Sequence, residues 1–511
     1  MNSRFSRNGL IRGLARCVAL GLGLCLSILW FLPCAGAGDA LAGQAGAEPI
    51  RLNPENPHYF LFRGKPTVLI TSAEHYGAVI NKDFDYVTYL DALKSYGLNY
   101  TRIYPGALYE PQGKFVWGNV LGPKPASLIV PWARSNVPAT NLCGSKFDLD
   151  KWDPEYFARF KDFIAKAGER GIVVEICFFN SQYSDTWPIS PLYYENNIQG
   201  VGKCGFEDAQ TMKHADLVER EADYVRKITE EVNSFDNVIL EICDEPSLFT
   251  SVEEAGPWVR HLVQVLYETD SKLPKRHLVA QQVEGPLGGP IDLSADPEVS
   301  VIVTQYLYEA GDQMGGLKGL DYLYGNNKVV EENETNYYPI WYQGDKIGDS
   351  RVEAWEFIVG GGGSFNQLSG LYTAENPGGK GPENERLLTA LKSLKDFIYS
   401  FDFLRMHPDR GFIVSGVPAG AYCRGISQPG KQYALYLHHS TGGKGSAYTV
   451  TPGEYGEKLV LDLPPGHYRA DWIDPATGSI RKSEDVAHQG GHRSFTTPRH
   501  TIDIALRIKR E

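Results

Sequence analysis

Glu245 stands where a strand would hand a carboxyl to a binding face. The run Asn237-Val238-Ile239-Leu240-Glu241-Ile242-Cys243 is apolar and rich in β-branched residues, and Asp244-Glu245-Pro246 follows it at once. A carboxyl so placed can serve as a general acid if its surroundings hold it protonated near neutrality. Asp244 is such a surrounding, because a second negative charge next to Glu245 disfavours its ionisation. The same position also suits a structural acid that caps the next helix or pairs with an arginine. A second strand-like run, Lys328-Val329-Val330, leads into Glu331-Glu332-Asn333-Glu334-Thr335. Consecutive strand residues point to opposite faces, so Glu331 and Glu332 cannot both look into one site.

Such groups need strands whose C-terminal ends converge. From about Leu52 to Phe403, short β-branched runs alternate with longer amphipathic segments, the pattern of repeated βα units around a parallel sheet. Val68 to Ile70, Asn99 to Tyr104, Ile172 to Phe178, Asn237 to Ile242, His277 to Ala280, Val299 to Thr304, Lys328 to Glu332 and Ser364 to Leu368 read as strands. Helices are predicted over Phe84 to Ser95, Asp216 to Ser234, Trp258 to Tyr267, Val352 to Val359 and Glu385 to Tyr399. A further helix opens at Asp153-Pro154, with Asp as N-cap and Pro in the first turn, and ends at Arg170-Gly171. These units predict an α/β fold, a (β/α)8 TIM barrel over residues 50–405 with a long insertion from Gly106 to Asp150. In that fold the loops after the strands build the active site, which is where Glu245 falls. From residue 406 to 511 short alternating runs are separated by Pro, Gly and Asp, predicting a smaller antiparallel β-sandwich.

Residues 1–42 have the form of a signal peptide: Arg4, Arg7, Arg12 and Arg16 precede the apolar run Cys17 to Leu32, and Ala37 and Ala42 each end an A-x-A pattern. An uncleaved anchor and a lipidated Cys34 are the alternatives; otherwise a secreted or periplasmic location is expected, with no membrane association after cleavage. The formal charge of −12 disfavours nucleic acid as a partner. Cys143 and Cys204 lie in polar stretches and could pair, whereas Cys177 and Cys243 sit in apolar runs as packed thiols. Neither C-x-x-C nor H-E-x-x-H occurs, so no metal or other cofactor is expected. Asn99-Tyr100-Thr101 and Asn333-Glu334-Thr335 match the N-glycosylation pattern but fall on predicted strands, and are read as chance matches.

These strand-end motifs resemble the clan of retaining (β/α)8 glycoside hydrolases that includes the family 5 cellulases and mannanases. There strand four ends Asn-Glu-Pro with Glu as acid/base; here the triplet is Asp244-Glu245-Pro246, so the usual amide contact to the sugar 2-hydroxyl is replaced by a carboxylate. The clan's nucleophile ends strand seven, after a Lys and an apolar run, and the resemblance places it at Glu334, with Glu332 as the alternate register. Asn99-Tyr100-Thr101-Arg102 is similar to the clan's Asn-x-x-Arg, implying that Arg102 lies beneath the nucleophile and keeps it ionised. Strand six, Thr304-Gln305-Tyr306-Leu307-Tyr308, implies Tyr306, or else Tyr308, as a hydrogen-bond partner of the nucleophile. Trp355 or Trp187 could stack on a sugar face, and His75 and Tyr76 could line the subsite of the cleaved sugar. Gly466-His467-Tyr468-Arg469-Ala470-Asp471-Trp472 and Asp474-Pro475-Ala476-Thr477-Gly478 resemble a small C-terminal module often labelled collagen-binding.

The resemblance implies a carbohydrate substrate and double displacement, with the acid about 5–5.5 Å from the nucleophile. The alternative is a non-catalytic carbohydrate-binding barrel at the cell surface. Asp244 in place of Asn favours that alternative, and Arg102 disfavours it. The sugar, the linkage and the choice of internal or terminal cleavage depend on loops such as Gly106 to Asp150.

Overall fold

The parallel strands expected from the βα pattern close on themselves. In chain order they are β1 (Leu69–Ile70, continued at Glu74–His75), β2 (Tyr100–Ile103), β3 (Val173–Asn180), β4 (Val238–Asp244), β5 (Leu278–Pro286), β6 (Val301–Glu309), β7 (Val329–Tyr338) and β8 (Ser364–Ser369). Each pairs in parallel with the next, and β8 pairs with β1, giving a closed eight-stranded barrel. The computed structural model describes residues 48–110, 121–141, 144–309, 312–313, 317–338, 346–369, 371–442 and 448–511. The leader segment therefore lies outside the described residues, and among those described no helix is long and apolar enough to cross a membrane.

Local chemistry sets the helix ends. Asp85 caps α1 (Tyr86–Ser95), accepting from the Val87 and Thr88 amides, and Asp153 caps α2 (Pro154–Glu169) in the same way. Gly171, at φ 72°, takes the left-handed turn after α2. Then come α3 (Ala215–Val232), α4 (Val252–Asp270), α5 (Leu317–Leu323), α6 (Lys346–Val359) and α7 (Pro382–Tyr399). Helix α4 begins six residues before the predicted Trp258, because the Ser251 hydroxyl caps it and Pro257 is accommodated inside the helix. Between β5 and β6 the chain crosses without a helix.

Alternation along the strands separates two apolar layers. Leu69, Tyr100, Val173, Ile239, Ala280, Val301, Val303 and Val329 fill the barrel's lower interior, plugged by Ile50, Phe60 and Phe62 from a short N-terminal antiparallel sheet. Their strand neighbours Ile70, Val174, Val238, Leu240, Ile302 and Val330 face outward and join the helices in the main core. Within the insertion, Trp132–Pro138 and Ser145–Trp152 form an antiparallel hairpin.

The chain beyond α7 is antiparallel, with a seven-stranded sheet facing a three-stranded one. Leu435, Leu437, Leu459, Leu461, Tyr468, Trp472, Phe495 and Leu506 fill the space between them. Ala434, Tyr436, Ile473 and Ala505 belong instead to the main core, so the apolar interior is continuous from barrel helices into this sheet. Cys177, Cys204, Cys243 and Cys423 carry free thiols. The possible Cys143–Cys204 bridge is thus not formed at Cys204, and Cys143 lies outside the described residues.

Candidate active site

Above the apolar floor the barrel interior turns acidic. Arg102 on β2 is fully buried and clamps Glu241 of β4 through Nε at 2.7 Å and Nη2 at 2.8 Å, while Nη2 also reaches Asp244 Oδ1 at 3.0 Å. Arg102 therefore carries positive charge to strand four, beneath Glu245. Tyr100 Oη lies 2.8 Å from both Glu175 Oε2 and Glu331 Oε1. A phenol has one proton to donate, so two such contacts require one of the carboxyls to be protonated and to donate in turn. Burial, then the neighbouring acids Glu331 and Glu241, push Glu175 well above the ordinary carboxylate range; burial and Glu241 push Glu331 up to about 7.

Asp244 is surrounded by donors. Besides Arg102, Asn180 Nδ2 donates to Oδ2 at 2.6 Å, Tyr104 Oη donates at 3.1 Å, and the Tyr76 hydroxyl approaches to 3.5 Å. An asparagine would have to turn its own NH2 toward a donor, which gives a physical reason for aspartate in this triplet. Tyr76 and Tyr104 stack at 4.1 Å, forming an aromatic wall beside the carboxylate.

Glu245 leaves β4 in the left-handed region, at φ 49°, immediately before Pro246. That conformation costs a residue with a Cβ roughly 1–3 kcal/mol and persists only where surroundings impose it. Here its amide donates to Gln282 Oε1 at 2.9 Å, and its carbonyl accepts from the Ser181 hydroxyl. Gln305 Nε2 donates to Glu245 Oε1 at 3.2 Å. Gln305 reaches it from an irregular stretch of β6, where three steps, Val303 to Tyr306, oppose two on β5, Gln282 to Glu284.

A matching bulge re-aims strand seven. Glu332 shares its facing with Val330, accepts from Thr304 Oγ1 at 2.8 Å, and is buried on the outer side of the barrel. The alternate register would therefore direct a nucleophile away from the lumen. Between Glu332 and Thr335 three steps of β7 match two of β8, which breaks the alternation just where Glu334 sits. Glu334 is less buried than Glu331, Glu332 and Asn333 before it. Glu334 and Glu245 both lie within electrostatic reach of Tyr183: burial first, then the charges of Glu110, Glu245, Glu334 and Asp244, push that hydroxyl well above its ordinary range. Tyr183 thus stays protonated, and its hydroxyl donates to Asn180 Oδ1 at 3.3 Å.

The other expected residues divide. Tyr76 is at the mouth; His75 is on β1 and Tyr306 on β6, but their side chains lie outside the described residues. Trp355 is corrected: its ring is fully buried on α6 between Phe397 at 5.0 Å and Tyr436 at 5.4 Å, where the barrel meets the C-terminal sheet, so it stacks on protein and on no ligand. Trp187 is also core, its indole N–H held by Cys204 O at 3.0 Å. Both sequons are internal, with Asn99 bonded to Val68 and Ile70 backbone and Asn333 to Glu241. The sequence reading missed Asn180, Tyr183, Gln282, Gln305 and Glu110. Asn180, at the end of β3, carried the strand-end signal; Gln305 was hidden by the bulge and Tyr183 and Glu110 by their loops. Glu284, buried on β5 and held near Ser247 N at 2.8 Å, adds a carboxyl that burial pushes up to about 7.

No known sequence-family profile matches the chain, and no curated protein matches it. Solved structures do. A family 5 glycoside hydrolase from Bacteroides vulgatus superposes with a TM-score of 0.56 at 12% identity, over 90% of this chain and 93% of that one. A second Bacteroides vulgatus protein, named as a candidate glycoside hydrolase, gives 0.60 at 14% identity over 92% and 84%. A third structure, named simply a glycoside hydrolase, gives 0.57 at 13% over 91% and 97%. Shares this large extend past the barrel, so barrel and appended β-sheets together form a fold seen in glycoside hydrolases.

Proposed function

We propose that the protein is a retaining glycoside hydrolase that cleaves O-glycosidic bonds of a poly- or oligosaccharide, exported by its N-terminal leader. The observation that carries this reading is the position of Glu245 at the C-terminal end of β4 and of Glu334 at the bulge of β7, both within electrostatic reach of Tyr183. The fold shared with solved glycoside hydrolases supports it further. Glu245, strained at φ 49° and held by Gln282 and Gln305, protonates the leaving oxygen while Glu334 attacks the anomeric carbon. Glu245, now a base, then activates water to release the sugar from Glu334. Tyr183, kept protonated, lies within electrostatic reach of both carboxyls. The Tyr76–Tyr104 wall offers apolar contact to a pyranose face.

Aryl glycosides and a polysaccharide panel test this, with the product anomer followed by NMR. Glu334→Gln is expected to abolish turnover on every substrate. Glu245→Gln is expected to cost about 10²–10⁴-fold on poor leaving groups and much less on activated aryl glycosides. Hydrolysis unaffected by Glu334→Gln removes the nucleophile, and an inverted product removes the double displacement.

A saccharide-binding barrel without turnover is the second reading. It is favoured by the donors that tie up Asp244, leaving little capacity there for a sugar hydroxyl. Calorimetric binding of oligosaccharide without any product would establish it.

A further inference from the structure

Three ligand-type side chains meet in the C-terminal sheets, remote in sequence from one another and from the acids above. His439 lies near the end of the strand Gln432–Gly442, Glu457 just before the strand Lys458–Leu463, and His500 opposite Tyr455 in an isolated bridge. Their nitrogen and carboxylate atoms all fall within 4.8 Å of one another. His439 Nε2 is 3.0 Å from Glu457 Oε1, and His500 Nε2 is 3.5 Å from Glu457 Oε2. Backbone bonds fix all three: His439 N to Ile502 O at 2.9 Å, Thr497 N to Glu457 O at 3.0 Å, and Tyr455 N to His500 O at 2.9 Å. The His439 ring is further clamped by stacking on Tyr455 at 3.5 Å.

The surroundings of His500 carry the argument. Its Nδ1 lies 3.1 Å from the Pro498 carbonyl, an acceptor, so Nδ1 donates there. Nε2 is buried and makes no hydrogen bond among the described residues, although Glu457 Oε2 lies only 3.5 Å away. A buried polar atom left in that state beside a carboxylate needs a further partner, and a cation shared by the two supplies one. A histidine whose second nitrogen donates to a backbone carbonyl is the usual arrangement of a metal ligand. Bonds of about 2.0–2.1 Å in a tetrahedral zinc site imply ligand separations of about 3.3 Å, and each histidine already lies near that distance from one of the two Glu457 oxygens. Thr497 Oγ1 donates to Glu457 Oε2 at 3.1 Å and orients the carboxylate.

We propose that His439, Glu457 and His500 bind one divalent transition-metal ion of the zinc type, with water in the fourth position, stapling three segments of the C-terminal sheets. Sequence motifs miss this site because no two of its ligands share a helix or a hairpin turn.

The full chain, stripped with a chelator and dialysed, is titrated with zinc alone by calorimetry and with cobalt(II) by visible absorption. One equivalent is expected, with the intense d–d bands of a tetrahedral centre and a Tm raised by about 5 °C at hundred-fold excess over Kd. Glu457→Gln and His500→Gln should each weaken binding by at least about 100-fold, more than loss of an outer partner does. The wild-type chain decides by itself should either variant fail to fold. No saturable uptake, or uptake with octahedral cobalt bands, overturns the site, as does affinity unchanged in both variants.

Discussion

The barrel interior and the face between barrel and C-terminal sheets both bury charge, but they balance it differently. Inside the barrel Glu175, Glu241, Asp244 and Glu331 share one guanidinium, that of Arg102. At the other face basic side chains sit directly on particular carboxyls. Arg351 grips Asp503 at 2.8 and 3.0 Å, and Glu356 receives His438 at 2.9 Å and Arg424 at 3.4 Å. The consequence appears in proton affinity. Burial pushes both Glu175 and Glu331 up, whereas for Glu356 the upward push of burial is more than reversed by His438 and Arg424. Burial beside matched basic groups suits an interface; burial of acids beside one another raises their proton affinity beneath the barrel's mouth.

Removing the cation from each region tests that difference most severely. Breaking a buried pair costs about 3–5 kcal/mol because the remaining charge has no compensation. Arg102→Met strands two carboxylates and is expected at the top of that range, or to prevent folding. Arg351→Met unpairs Asp503, which still accepts from Tyr436 Oη at 2.8 Å, and is expected at the bottom. Urea midpoints measure both, and a larger loss from Arg351→Met would dissolve the contrast.

Asp244→Asn acts next. Every described partner of this carboxylate is a donor, so the introduced NH2 must face one of them, costing about 1–3 kcal/mol. If the variant instead matches the parent in stability, the four-donor cage is not what selects aspartate, and the departure from the clan's Asn-Glu-Pro loses its explanation.

How far the sequence was legible follows the same division. The barrel could be read because hydrophobic period and helix caps are local: Asp153-Pro154 and Gly171 end where their chemistry dictates. Glu245 was legible because a strand end is a position and Pro246 fixes it. Arg102 was identified, but its partners were not, since a side chain at the barrel axis can turn to any of several strands. Gln305 and Glu334 depend on bulges, each a one-residue slip that alternation alone cannot foresee. Trp355 misled because an aromatic residue suits a sugar and a second sheet equally well, and the sheet that covers it lies eighty residues further on, roughly, in Tyr436.

The smallest expected effect concerns pH. Glu331 titrates near 7 in the folded chain and near the ordinary carboxylate value when unfolded. Between those values the folded chain holds a proton that the unfolded chain has released, so stability present below the lower value is lost as pH rises through 7. The slope amounts to about 1 kcal/mol between pH 6 and pH 7. Glu356 has the opposite sign: its folded value is lowered, so its contribution is present above the ordinary carboxylate pKa and lost as pH falls through the folded value. Glu331→Gln should make the alkaline limb of the stability profile shallower, with Glu175 and Glu284 supplying the remainder, and leave the acid limb in place, while Glu356→Gln should weaken the acid limb alone. Denaturant midpoints from pH 4 to pH 8 read both limbs. Coincident profiles for the two variants would mean that the proton store and the interface are a single titrating system, and that the distinction between the two regions is one of position alone.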